Sequence, residues 1–311
     1  MELFRFNKEI PFMSYGKTTT VISLLIFLFS IFCLTYYKLN LSVEFTGGTL
    51  MEVEFSKPAK LNQIRAKIDE LGLTSSQVQS AGSSKNVLIK IQNENNIKPD
   101  TLSNQVHEKL LQLDPGTLIK QTEFIGPQIG KELVTNGILA LVMVSIGIIT
   151  YLAIRFEWRF ALAALIANAH DVVVILGCFA FFQWEFSLTV LAGVLAVLGY
   201  SVNEAVVIFD RIRESFRNPQ MRDKTVPEVI NNAITSTMSR TIITHGSTEV
   251  MVLSMFFFGG DILHGFSIAL TIGILFGIYS SIFVGSPLLL IFGLTRETLA
   301  KKNIKKEEAV V

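Results

Sequence analysis

Six stretches of this 311-residue chain are each long and apolar enough to cross a lipid bilayer, near 18–37, 133–154, 160–182, 187–209, 238–258 and 264–293. Within hydrocarbon every backbone N–H and C=O must bond inside its own segment, so each stretch is expected to be a helix. Composition agrees: half of the residues are hydrophobic, 24 are Phe, and the mean hydropathy is +0.47, too apolar for an ordinary soluble domain. The last stretch is long and is expected to tilt or to end near Pro287. The first, VISLLIFLFSIFCLTYY, exceeds the usual apolar core of a signal peptide and is followed by no small-x-small cleavage site. Two cysteines, Cys33 and Cys178, both lie in apolar runs and read as packing residues.

Orientation follows from the short loops. Arg5, Lys8 and Lys17 precede the first span, Arg155 and Arg159 separate the second from the third, and Arg211, Arg213, Arg217, Arg222 and Lys224 follow the fourth. The opposite loops, QWEFS and GGDILH, carry no Lys or Arg. The positive-inside rule then places both termini in the cytoplasm and the long segment after the first span outside. The expected organisation is a cytoplasmic N-terminus (1–17), a first span (18–37), a periplasmic domain (38–132), spans two to six (133–293) and a cytoplasmic tail (294–311). Net charge is +1 and the charges are segregated rather than gathered in one basic patch, so charge says nothing of nucleic acid and no nucleic-acid partner is expected.

The outer segment reads as a soluble domain. TLMEVEF alternates at strand period, and Leu61, Ile64, Ile68 and Leu71 share a helical face. SSQVQSAG and KNVLIKIQ form a hairpin pattern, and Pro99 and Asp100 start a second helix with Leu102, Val106, Leu110 and Leu113 on one side. TLIKQTEFIG closes the order βαββαβ, the split motif of ferredoxin-like domains. The fold class is therefore an α-helical membrane protein, six transmembrane helices with one extracytoplasmic ferredoxin-like α+β domain between the first two.

Ionisable residues inside spanning helices cost about 2.5–3.5 kcal/mol each on insertion scales, so they point to function. Glu204, beside Asn203, lies in the cytoplasmic half of span four, too deep for its short stem to reach the headgroups. Ser201 shares its face, and Ala192, Ala196 and Gly199 form a small-residue face that admits a neighbouring helix. Two readings stand: a carboxylate paired structurally to a neighbour, or one that loads and releases a cation or proton as its partner moves. Arg240 lies at comparable depth on span five and is the expected partner, unless it merely anchors the membrane edge. His170 and Asp171 are adjacent on span three, point about 100° apart and cannot face one partner equally. His245 and Glu249, four apart on span five, are expected to pair locally. Asp210, with Arg211, Arg213 and Glu214, marks the cytoplasmic exit of span four, and Gly273 to Gly277 make a close-packing face on span six.

No Walker loop, H-E-x-x-H helix or G-x-S-x-G elbow is present, so the polar set suits ion relay, through Glu204, Arg240, Asn203, Asp171 and His170 with Glu249, His245 and Asp210 secondary, rather than enzymatic hydrolysis. Three functional classes fit: a cation-coupled export accessory, a half-unit of a small-molecule or lipid exporter, and an uncoupled scaffold. An exporter predicts a large apolar pocket that one compact outer motif leaves little room for.

Along most of its length the chain resembles the SecD/SecF family of bacterial protein-export proteins, in its smaller, SecF-type member. The resemblance rests on VEFTGGTL, IGPQIGKEL, HDV, WEFSLTVLAGVLAVLGYSVNEAVVIFDRIRE, SRTIITHGST and FGGDILHGFSIALTIGILFGIYSSIFVGSPL. It implies a fold related to resistance–nodulation–division transporters, six partner helices from SecD, and action beside the SecYEG channel, the SecA motor and YajC on a translocating preprotein in the lipid of the bacterial inner membrane. It implies no cofactor beyond the coupling ions, protons or sodium, whose passage moves the outer domains. The family's ionisable carboxylate in G-Y-S-x-N-D and its Arg in S-R-T map onto Glu204 and Arg240, and its H-D onto His170 and Asp171. The usual Asp is Glu at 204, and Glu249 stands where the family more often has an uncharged residue.

Overall fold

The computed structural model describes residues 8–73, 76–92 and 98–297; the outermost parts of both expected tails lie outside them. In chain order the elements begin with α1 (Gly16–Tyr36), β1 (Asn40–Leu41), α2 (Val43–Thr46) and β2 (Gly48–Glu54). There follow α3 (Leu61–Asp69), β3 (Ser76–Ser80), β4 (Asn86–Gln92), α4 (Pro99–Leu111) and β5 (Leu118–Ile125). The rest is helical, α5 (Pro127–Arg155), α6 (Trp158–Phe182), α7 (Leu188–Arg217), α8 (Val226–Phe258), α9 (Gly260–Ser280) and α10 (Ser286–Ile291), apart from the two-residue strand β6 (Glu185–Phe186).

Among the described residues six helices have the length and apolarity of membrane spans, with α9 and α10 forming the sixth through a π-helical turn at Ser281–Gly285. The helix does not end at Pro287. Proline lacks an N–H and crowds the preceding turn, and the widened turn just before Ser286 lets the helix run on past it. Two spans outrun their apolar runs. α7 continues to Arg217, and α8 begins at Val226, where Thr225 and Glu228 form a capping box and the Thr225 N–H donates to Glu228 Oε2 at 2.7 Å. The polar first turns of α8 hold the N-terminal segment: Asn231 Oδ1 accepts from the Met13 N–H at 2.8 Å and Thr235 Oγ1 from the Ile10 N–H at 3.1 Å.

α6, α7 and α9 are the most buried spans, whereas α1, α5 and α8 turn apolar faces such as Leu25, Ile138 and Val250 outward. α7 and α9 pack closely at Gly273, where an added Cβ would lie 2.2 Å from Val197 Cγ2, so only glycine permits that approach. α1 and α6 end at one level. Gln183 caps α6 in the left-handed region (φ 55°), and its amide donates to the carbonyls of Ala180 (2.6 Å) and Lys38 (3.2 Å). The Asn40 amide returns a bond to the Gln183 carbonyl at 3.0 Å.

The outer domain has the expected βαββαβ order, folded as an antiparallel sheet β3-β4-β2-β5, the ferredoxin-like arrangement. Met51, Val53, Val87, Ile89 and Ile91 face inward at period two and meet Ile64 and Ile68 of α3 and Leu102, Val106 and Leu110 of α4. Ser76–Ser80 and Asn86–Gln92 pair as the hairpin the sequence suggested. The GG pair enters the sheet under constraint: Gly47 has φ +83°, and a Cβ on Gly48 would lie 2.3 Å from the Ile91 carbonyl oxygen. A connection invisible in the sequence pattern is the parallel pairing of β1 with β6, Asn40 opposite Glu185 and Leu41 opposite Phe186. It ties the base of the outer domain to the loop between α6 and α7.

Candidate functional site

Glu204 is buried in the body of α7, 4% exposed. Its Oε1 accepts a 2.6 Å hydrogen bond from the Thr241 hydroxyl of α8, and its Oε2 lies 3.7 Å from His245 Nδ1. That imidazole nitrogen also lies 2.9 Å from the Thr241 carbonyl oxygen, which can only accept, so Nδ1 carries a hydrogen. Tyr200 covers the imidazole edge-to-face at 4.9 Å, and its hydroxyl donates to Thr248 at 3.1 Å. One buried hydroxyl thus bonds the carboxylate, and one buried imidazole lies against its other oxygen.

The expected Glu204–Arg240 pair is not formed. Arg240 is exposed on the outer surface of α8, and among the described residues its side chain makes no hydrogen bond or ion pair. Thr241, one residue on and about 100° round the helix, takes the inward position. Asn203 is likewise exposed, and so are Ala192, Ala196 and Gly199, so the small-residue face of α7 turns away from this chain's other helices. Glu204 lies on the opposite, packed side with Ser201.

The expected His245–Glu249 pair is also replaced. His245 turns toward Glu204, while Glu249 Oε1 accepts from the Thr271 hydroxyl of α9 at 2.9 Å and its other oxygen is buried without a partner.

Asp171 forms a second carboxylate station, 1% exposed. Its Oδ2 accepts from Ser201 of α7 at 2.7 Å and from Ser280 of α9 at 2.8 Å, and Oδ1 lies 3.4 Å from His170 Nδ1, long for a hydrogen bond. The two side chains do diverge: His170 stacks on Phe27 of α1, and its Nε2 is buried without a partner. Asn168, on the same helix, is 3% exposed with an unpartnered Oδ1. Sequence reasoning singled out Ser201 but missed Thr241 and Ser280; hydroxyl residues recurring within apolar helices were the available signal.

At the far end of α7, Asp210 is exposed and pairs with Arg155 (3.2 Å) and Arg213 (3.8 Å), whose guanidinium groups lie over the Phe156 ring. Asp210 stands apart from both buried carboxylates, as a residue of the helix exit.

These features define a multi-pass membrane protein whose central helices carry two hydroxyl-bound carboxylates beneath a docked ferredoxin-like domain. The chain belongs to the SecD/SecF family of protein-export membrane proteins: residues 105–295 match its "Protein export membrane protein SecD/SecF, C-terminal" domain and residues 37–59 its "SecD/SecF GG Motif". It is 41% identical to the protein translocase subunit SecF of Vibrio alginolyticus, over 99% of this chain and 98% of that one. It is 35% identical to SecF of Escherichia coli O157:H7, over 97% and 94%. Among solved structures it is similar to a Thermus SecDF, described as a translocon-associated membrane protein, with a TM-score of 0.76, 31% identity and 94% of this chain covered. SecDF in its super-membrane-facing form matches at a TM-score of 0.72, 29% identity and 99% coverage. The chain spans about two fifths of those SecDF chains, 39% and 41%.

Proposed function

We propose that this chain is a SecF-type export subunit that works with SecD in the bacterial inner membrane, both termini cytoplasmic, drawing on a proton or sodium-ion gradient to promote late steps of protein export. It acts as an accessory beside the SecYEG channel, SecA and YajC and is not itself an enzyme. Glu204 is the group that gains and loses the coupling ion. The observation that carries this is a carboxylate buried within a spanning helix, bonded by the Thr241 hydroxyl and 3.7 Å from the His245 imidazole, with no Lys or Arg ion pair among the described residues. Such a group is costly to insert and has functional use where its charge can be changed. His245 relays between Glu204 and the surface, and Asp171 with His170 holds the inner helices in register. Arg240 and Asn203, exposed beside the small-residue face of α7, support a partner helix seated there, because lipid is a poor neighbour for a guanidinium and an amide. SecD is the partner that this surface receives.

The test is reconstitution of the chain with SecD and the export channel in vesicles, following release of a translocating chain as pH and sodium gradients are varied. Glu204→Gln should insert and assemble normally yet lose the gradient-dependent part of the release. Full gradient-dependent release in that variant would remove the role.

A further inference from the structure

Lys90 is the one lysine or arginine that is buried among the described residues, at 5% exposure. Its position is unexpected from the strand pattern. Val87, Ile89 and Ile91 fill the domain core, which assigns Leu88, Lys90 and Gln92 to the opposite face of the sheet, normally wet. That face instead rests on the membrane domain. The Lys90 ammonium lies 2.9 Å from Glu185 Oε1 in β6 and 3.3 Å from Glu44 Oε1 in α2. Gln79 of β3 donates to the other Glu185 oxygen at 2.7 Å, and the Ser80 N–H donates to Asp261 Oδ2, in the first turn of α9, at 2.8 Å.

Glu185 is well placed to move with α7. It lies two residues before Ser187, which caps that helix with its side chain, and β6 is held by its pairing with β1. From Leu188 to Glu204 the helix runs about 24 Å without interruption, at 1.5 Å per residue. A rotation or slide of α7 about Glu204 therefore reaches Glu185, and from there the Lys90 pair and its flanking hydrogen bonds lead into the face of the sheet, beside the β1–β6 pairing that leads into it along the backbone. The joint borders a cavity of about 240 Å³ lined by Glu44, Lys90, Glu185, Asp261 and His264. That space lets the ammonium exchange weight between its two carboxylates without displacing packed apolar side chains.

We propose that Lys90 is a positioning residue for export: shared between Glu44 and Glu185, it transmits displacement of the outer end of α7 into the outer domain. This rests on the reading of α7 as the ion-responsive helix. The experiment uses the vesicle assay above with the intact chain and SecD, comparing Lys90→Met, Lys90→Arg, Lys90→Glu, the exchange Lys90→Glu with Glu185→Lys, and Glu204→Gln. Lys90→Met should keep assembly with SecD and lower gradient-stimulated release by roughly tenfold, within the span of measured coupling energies. Lys90→Glu should be worse, because three carboxylates then crowd the joint. Lys90→Arg and the charge exchange should each recover at least about half of the stimulation, which simple loss of packing would not allow. Wild-type stimulation in Lys90→Met, with Glu204→Gln defective, overturns the Lys90 role alone. Failure of both the arginine and the exchange variants to recover, with melting temperature lowered throughout, overturns it in favour of a purely structural contact. Full stimulation in Glu204→Gln would instead remove the ion-coupling reading on which the proposal stands.

Discussion

The Thr241 hydroxyl donates to Glu204 Oε1 at 2.6 Å, tying the carboxylate of α7 to α8 by a hydroxyl hydrogen bond and leaving the neighbouring Arg240 on the outside. Hydroxyl contacts between membrane helices are worth about 0.6 kcal/mol on average and 1.7 at most. Thr241→Val should therefore destabilise the chain in detergent by about 0.6–1.7 kcal/mol, and Thr241→Ser by much less. Equal unfolding midpoints for Val and wild type would show that the bond carries no stability.

Arg240 gives the opposite pattern. Among the described residues its side chain makes no hydrogen bond or ion pair, so Arg240→Leu should leave the unfolding midpoint of the isolated chain within about 0.5 kcal/mol of wild type. Co-purification with SecD should fall instead. Loss of stability in the isolated chain with undiminished recovery of SecD would be the contrary result.

Asp171 joins three helices through one oxygen. Asn at this position keeps an acceptor for Ser201 and Ser280, whereas Ala leaves both buried hydroxyls without their partner. Two lost bonds of the membrane kind amount to about 1–3 kcal/mol. Asp171→Ala should show that deficit in detergent unfolding and Asp171→Asn should show less than half of it.

Close packing of α7 on α9 is testable by compensation. Gly273→Ala forces a methyl against Val197 and should cost about 1–3 kcal/mol, as overpacking does. Adding Val197→Ala should return most of it, measured as a double-mutant cycle. Additive losses would place the strain elsewhere.

In the outer domain, the Ser56 hydroxyl, then the Gly116 N–H, hold the half-buried Asp114 carboxyl below the ordinary aspartate value of 3.8. A group lowered on folding contributes stability above its unfolded value and loses it as pH falls through the folded one. Amide exchange at Ser56 and Gly116, compared at each pH with Asp114→Asn, should be slower in wild type at neutral pH. The difference should vanish as pH falls from about 4 to below the folded value. A difference independent of pH would assign the protection to something other than the charged carboxyl.

The architecture was legible because its signals are strong and local. Six apolar runs and a period-two, period-3.6 alternation each demand one type of element, and Glu204 stood out as a carboxylate inside such a run. Its partner was not legible. Arg240 and Thr241 are one residue apart, about 100° on the helix, and which of them meets α7 depends on how two helices are rotated against each other. Depth along the sequence carries no such information. Lys90 was missed for a related reason: the inward Val87, Ile89 and Ile91 put it on the opposite face of β4, and only the docking of the domain through β1 and β6 buries that face. The π-helical turn before Ser286 left no composition signal beyond Pro287 itself.

Gln183 deserves its place among the caps for a reason of geometry. One amide closes α6 and also reaches the carbonyl that follows α1, so a 21-residue and a 25-residue helix are trimmed to a common plane. At 1.5 Å per residue they extend about 32 and 38 Å from that plane. Gln183 thereby sets one shared level for the two helices, so the four-residue difference in their lengths falls wholly at their opposite ends.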